Sequence, residues 1–147
     1  LAGILYLLEN PSEILKRLKY PKKIQESVVN IINNANLNIL PDKKEIKKIL
    51  MNLDLEDLKR IIIFQKAQGK KIKIDNILKE ITNEVYSLKD LAIKGSDLVA
   101  IGVPKNEQIS IFLKELLILI IEEKLPNNKE ALISYVQNKI NKKNTIA

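Results

Sequence analysis

The stretch Asp90-Leu-Ala-Ile-Lys-Gly-Ser-Asp-Leu-Val-Ala-Ile-Gly-Val-Pro-Lys-Asn-Glu-Gln-Ile109 runs on through Ser110-Ile-Phe-Leu-Lys-Glu-Leu-Leu-Ile-Leu-Ile-Ile121 to Pro126-Asn-Asn-Lys-Glu130, and its reading decides the fold. Its second half sets apolar side chains at Ile109, Phe112, Leu113, Leu116, Leu117 and Ile120, the three-and-four spacing that lines one face of an α-helix. From 116 to 121 every residue is apolar, and a helix apolar on nearly all faces is normally buried among others. The segment 105–123 is therefore expected to be the central helix of a C-terminal bundle. Upstream, Gly95 and Gly102 are expected to end short helices by taking left-handed backbone angles. The turn Gly102-Val-Pro-Lys-Asn106 would then open the long helix.

The same spacing recurs outward from this stretch, at Ile14, Leu15, Leu18, at Ile24, Val28, Ile31, Ile32, and at Leu58, Ile61, Ile62. Start signals accompany it, each a capping side chain with an acid three residues on: Asn10/Glu13 with Pro11 between, Asp42/Glu45, Asp54/Asp57, Ser87/Asp90 and Asn127/Glu130. No segment alternates long enough for a hairpin, and Lys70–Asp75, which alternates briefly, reads as a loop. The fold class is all-α: a multi-helical bundle made of two small helical subdomains in series. Helices are expected near 1–9, 11–19, 21–34, 42–52, 54–68, 75–84, 88–92, 96–102, 105–123 and 128–142. The Asn-rich segment 33–41, ending in Pro41, is the best boundary, with a second break at 69–75.

Composition removes many chemistries. The 147 residues contain no His and no Cys, so imidazole bases, imidazole metal ligands, thiolate nucleophiles and disulfides are excluded. A chain without cysteine is compatible with a reducing, cytoplasmic setting. The net charge is +7, and the excess lies mainly in the middle third, residues 41–80. Such a balance suits contact with a phosphate backbone. The start Leu1-Ala-Gly-Ile-Leu-Tyr-Leu-Leu8 lacks the basic flank of a signal peptide and reads as the end of a helix from a longer protein. The longest apolar run is far too short to span a bilayer.

Asp90, Leu91, Ile93, Gly95, Asp97, Leu98 and Gly102, then Leu113, Leu116 and Leu117 in the apolar helix, then Pro126 and Asn127 at its exit, form a pattern. It resembles the C-terminal region of bacterial CCA-adding enzymes, the tRNA nucleotidyltransferases related to bacterial poly(A) polymerases. The likeness is good over about 88–133 and diffuse before that. It departs at Asn106 and Ser110, where that family often has small glycines. The resemblance implies that residues 1–36 end a helical body domain, 37–86 form a helical linker or subdomain, and 87–147 form the helical tail domain. It also implies a division of labour in a tRNA-processing transferase: a catalytic head adds C, C and A from CTP and ATP with Mg²⁺, while body and tail hold the acceptor stem and T arm of tRNA. The head's metal-binding aspartate pair has no counterpart in this sequence. The resemblance therefore implies an RNA-binding chain with no catalytic, metal or cofactor residues of its own, inactive alone. A poly(A) polymerase is the alternative parent.

Candidate RNA-binding residues follow from charge and position. Lys105 and Asn106 flank the start of the long helix, where free amides can face an anion, and Lys94 precedes the short helix before it. In the first basic cluster, Lys16 to Lys23, the candidates are Lys22 and Lys23. In the second, Lys43 with Lys47 and Lys44 with Lys48 fall on one helix stripe, as a duplex backbone would require. A third cluster joins Lys139, Lys142 and Lys143. Asp90 and Asp97, seven residues apart, are expected to cap helices and not to hold a metal. The competing reading is a helical interaction or dimerisation module, self-associating through an apolar face such as Leu1–Leu8.

Overall fold

The computed structural model describes residues 1–146, which form nine α-helices and one 3-10 turn, with no strand among them. The chain is all-helical, as expected. It divides into two compact units: residues 1–41 with 52–76, and residues 42–51 with 77 onward. Among the described residues no helix is long and apolar enough to cross a membrane.

The first unit contains α1 (Ala2–Leu5), α2 (Pro11–Arg17), α3 (Lys22–Asn33) and α5 (Leu55–Ala67). The helix expected over 1–9 is cut to a single turn, because Asn10 caps α2 by accepting from the Glu13 amide and Pro11 occupies the first position of that helix. The core is Ala2, Leu5, Leu15, Val28, Ile31 and Ile61, with Tyr20 and Phe64 packed against it. Two polar devices tie α5 to the segment before it. Gln65, 1 % exposed, donates to the carbonyls of Ala35 (3.0 Å) and Leu37 (2.9 Å), holding the loop after α3. Asp57 accepts from Ser27 Oγ at 2.6 Å and from Arg60 at 2.9 Å. The segment Lys70–Ile74 is indeed a loop, but it buries Ile72 and Ile74 with lysines between them, the period of a strand without a partner.

The second unit contains α4 (Lys43–Leu50), α7 (Gly95–Ala100), α8 (Glu107–Ile121) and α9 (Lys129–Ile146), and α6 (Asp75–Ile81) runs into it. Helix α8 is its centre. Phe112 and Leu116 join Leu98, Leu132 and Val136 in one cluster, while Leu117 and Ile121 meet Leu91 in another that Met51 packs against. Of the large apolar side chains of α8, Ile111 and Ile118, seven residues apart, stay exposed, on the same stripe as Lys114.

The glycines split. Gly102 ends α7 with φ +95°, as expected, whereas Gly95 begins that helix. A Cβ on Gly95 would lie 3.0 Å from Ile109 Cγ2, so this glycine serves close packing of α7 on α8 instead of a left-handed turn. The caps hold with two changes. Asp54 accepts from the amide of Glu56, one position earlier than the Asp57 pairing expected, and α9 is capped by Asn128, which accepts from Ala131 at 2.8 Å. Asn127 has a different task.

Candidate nucleic-acid interface

In the second unit the motif acids are each occupied by the fold. Asp90 accepts from the amides of Ser87 (2.9 Å) and Tyr86 (3.2 Å). Asp97 accepts from the Lys94 amide at 2.7 Å and from Lys129 Nζ at 2.7 Å. Those bonds, Lys129's first, hold the Asp97 carboxyl below its ordinary range. Asn127 closes the ring: its Oδ1 accepts from the Ala92 amide and its Nδ2 donates to the Asp90 carbonyl, both at 2.8 Å. The signature residues thus lock the 88–97 segment to the entry of α9 across more than thirty positions of sequence. That donor set does not fit Mg²⁺, since its oxygens already serve amides and an ammonium. Among the described residues no three acids gather at metal-holding distance.

The lysine stripe of α4 lies against carboxylates. Lys43 and Lys47 each take one oxygen of Glu84, Lys44 pairs with Glu123 at 2.9 Å, and Lys48 bridges Glu45 (3.2 Å) and Glu122 (3.3 Å). Hydrogen bonds to Lys43 first, then Lys47, hold Glu84 below the ordinary carboxylate range, and Lys44 does the same for Glu123. Lys43 and Lys48 are correspondingly raised, by Glu84 and by Glu45. The stripe fastens α4 to the rest of its unit, and an RNA phosphate would have to displace a carboxylate to use it. In the third cluster only Lys139 is paired, with Glu115, while Lys142 and Lys143 are exposed and enter no ion pair among the described residues. Burial pushes Glu115 up, but bonds from Lys139 and from Tyr135 Oη (2.6 Å) outweigh it and leave the carboxyl lowered.

Lys105 is exposed in the turn before α8, and Asn106 spends its side-chain oxygen on the Gln108 amide at 2.9 Å. Lys94 is exposed one position before α7. In the first unit, Lys22 makes a loose 3.8 Å pair with Glu26, both side chains well exposed, and such pairs contribute little. Lys23 enters no ion pair among the described residues, and neither do Lys16, Arg17 or Lys19. Helix α3 has Pro21 at its capping position, with no side-chain cap and no acid in its first turn, unlike α2, α4, α5 and α8.

Each unit thus carries exposed cations, and the motif acids of the second are taken up by the fold; comparison with known proteins gives these features a context. The family model described as tRNA nucleotidyltransferase domain 2 matches residues 2–136. The chain belongs to that family. No curated protein and no solved structure matches it. The match takes in both units, well beyond the 88–133 segment whose residues carry the sequence resemblance. The residues missed at the sequence level are the acidic partners Glu84, Glu122 and Glu123. They lie far along the chain from α4, so helical spacing carries no trace of them. As a tRNA nucleotidyltransferase domain, the chain keeps Lys94, Lys105, Lys22 and Lys23 exposed, whereas the four α4 lysines are half-buried and paired.

Proposed function

We propose that this domain is the non-catalytic, tRNA-holding part of an enzyme that completes the 3′ CCA end, gripping the acceptor stem and T arm through the sugar–phosphate backbone. The family match over residues 2–136 carries the reading, because tRNA is the substrate class that family membership implies. Exposed lysines, unpaired or, for Lys22, only loosely paired, support it: A-form RNA is recognised mainly through phosphates and 2′-hydroxyls, which needs basic helices and no active site. Nucleotide chemistry with CTP, ATP and Mg²⁺ is assigned to another part of the parent enzyme, working in the cytoplasm. Lys94, Lys105, Lys22 and Lys23 are the contacts proposed first; Asn106 and the α4 lysines Lys43, Lys44, Lys47 and Lys48 contribute only by exchanging their present partners.

Fluorescence polarisation with a tRNA transcript tests this. Affinity should fall steeply between 50 and 200 mM salt, with log K linear in log salt, and incorporation assays with CTP and ATP should show no turnover by this chain. Binding that is flat in salt, or turnover, refutes the reading.

One observation favours a second reading, docking onto a protein or a second copy. In the first unit Ile4 is 77 %, Leu7 88 % and Ile63 67 % exposed, and a groove of about 960 Å³ opens among α1, α3 and α5. Concentration-dependent mass in light scattering, lost in Leu7→Lys, would support that interaction; salt-steep RNA binding by a monomer would not.

A further inference from the structure

We infer that the corner between α2 and α3 is the phosphate anchor of this domain, taking the sugar–phosphate backbone of RNA with Lys19 at its centre; the inference rests on the RNA-holding reading above. Four helices of the chain end in the same way. After α2, α5, α7 and α8 a residue with positive φ stands past the helix end, and the next amide reaches back five residues to a carbonyl: Tyr20 to Leu15 (3.1 Å), Lys70 to Gln65 (3.0 Å), Val103 to Leu98 (3.0 Å) and Lys124 to Leu119 (2.8 Å). Two of these positions hold glycine, Gly69 (φ +86°) and Gly102 (φ +95°), which takes that conformation without strain. The other two hold charged residues, Lys19 (φ +55°) and Glu123 (φ +60°). A side chain there is strained against the following carbonyl, and such outliers are kept where the surroundings or the function use them.

For Glu123 the use is visible, since its carboxylate meets Lys44 at 2.9 Å. For Lys19 no partner exists among the described residues, and its side chain is exposed. Around it the eight residues 16–23 carry five cations, Lys16, Arg17, Lys19, Lys22 and Lys23, and no acid. Lys16 and Arg17 are explained by the negative end of the α2 dipole. Lys22 and Lys23 are not: they sit in the first turn of α3, where the dipole disfavours positive charge. Five like charges on one exposed corner repel one another, and a polyanion relieves that repulsion.

The corner is also rigid. Leu15 is fully buried, Tyr20 packs on the core, and Gln25 Nε2 holds the Tyr20 carbonyl at 2.6 Å. Charges held in place before binding lose little freedom on meeting phosphate. The α4 stripe, with as many lysines, lacks this property because Glu84, Glu122 and Glu123 already neutralise it.

The test is Lys19→Gly in the full chain, read by thermal melting and by polarisation with a tRNA transcript over a salt series. Glycine relieves the backbone, so the melting temperature should rise while RNA affinity falls several-fold and the log–log salt slope shrinks by about one. The triple variant Lys16→Gln, Arg17→Gln, Lys19→Gly should shrink the slope by about two to three. Lys70→Gln, Lys71→Gln, Lys73→Gln removes the same charge from another exposed stretch of the same unit and should change the slope by less than one. If wild type binds RNA salt-dependently and the corner variants match it, or match the Lys70–Lys73 control, the anchor is elsewhere and only this inference fails. If wild type does not bind RNA, the RNA-holding reading fails with it. Corner-dependent binding to phosphatidylserine vesicles with none to RNA would likewise overturn the assignment.

Discussion

Asn127→Ala should destabilise the second unit through the loss of two hydrogen bonds that no helix cap supplies. The Asn127 amide accepts from the Ala92 N–H and donates to the Asp90 carbonyl, each at 2.8 Å, and joins the 88–97 segment to the start of α9. A net hydrogen bond contributes about 0.5–1.5 kcal/mol. Water can reach both orphaned groups after truncation, which places the pair in the lower half of its range, about 1–2 kcal/mol. For a cooperative unit of this size that corresponds to a fall in melting temperature of roughly 4–8 °C for each kcal/mol lost. The neighbouring Asn128→Ala removes the cap of α9 and serves as the reference, at about 1 kcal/mol. Urea melts followed by far-UV circular dichroism give both values, and amide exchange gives a second readout, since the Ala92 N–H should exchange faster in Asn127→Ala but not in Asn128→Ala. A cost below about 0.3 kcal/mol for Asn127→Ala, with unchanged Ala92 exchange, would refute the clip and return Asn127 to an ordinary turn residue.

Three further outcomes are expected. Leu117→Ala, at a fully buried position between α8 and the 88–91 turn, should cost about 3 kcal/mol or more in urea unfolding. Glu84→Gln strips the shared partner from Lys43 and from Lys47, whose side chain is only 12 % exposed; it should cost about 1–2 kcal/mol after discounting for solvent screening, yet raise tRNA affinity by freeing two lysines. Stability should also be bounded in pH. Glu84, Asp97, Glu115, Glu122 and Glu123 are held below their ordinary values, so their contribution is present above those values and is lost as pH falls through the folded ones. Lys43, Lys48 and Lys139 are raised, so theirs is complete below the ordinary lysine value and is lost as pH rises through the folded ones. The urea midpoint should therefore be flat from about pH 6 to 9 and fall on either side, with a shallower acid limb in Glu115→Gln.

The helices were legible because their causes are local. Apolar spacing within one helix and a cap three residues from its acid both lie inside a short window, so α2, α4 and α8 begin within a few residues of expectation. Errors arose where a residue's partner is distant. Asn127 has the spacing of a cap to Glu130, but its partners are at 90 and 92, and the cap passes to Asn128. Gly95 carries the sign of a helix stop, but the contact that requires glycine is with Ile109 on another helix.

Charge was the least legible property, for the same reason. A stripe such as Lys43, Lys44, Lys47 and Lys48 shows only its own side of each interaction; Glu84 stands about forty residues away and Glu123 nearly eighty. In a chain with 23 lysines, clustering alone cannot separate a cation that builds the fold from one that awaits a ligand. Two structural facts together can. A lysine that already has a carboxylate gains little from a phosphate, because one charge-assisted bond replaces another. A lysine with no partner, at a backbone position where glycine would be more stable, imposes a folding cost that its own side chain does nothing to offset. Lys19 meets both conditions and the α4 lysines meet neither, so equal densities of charge on two helices lead to opposite functional expectations.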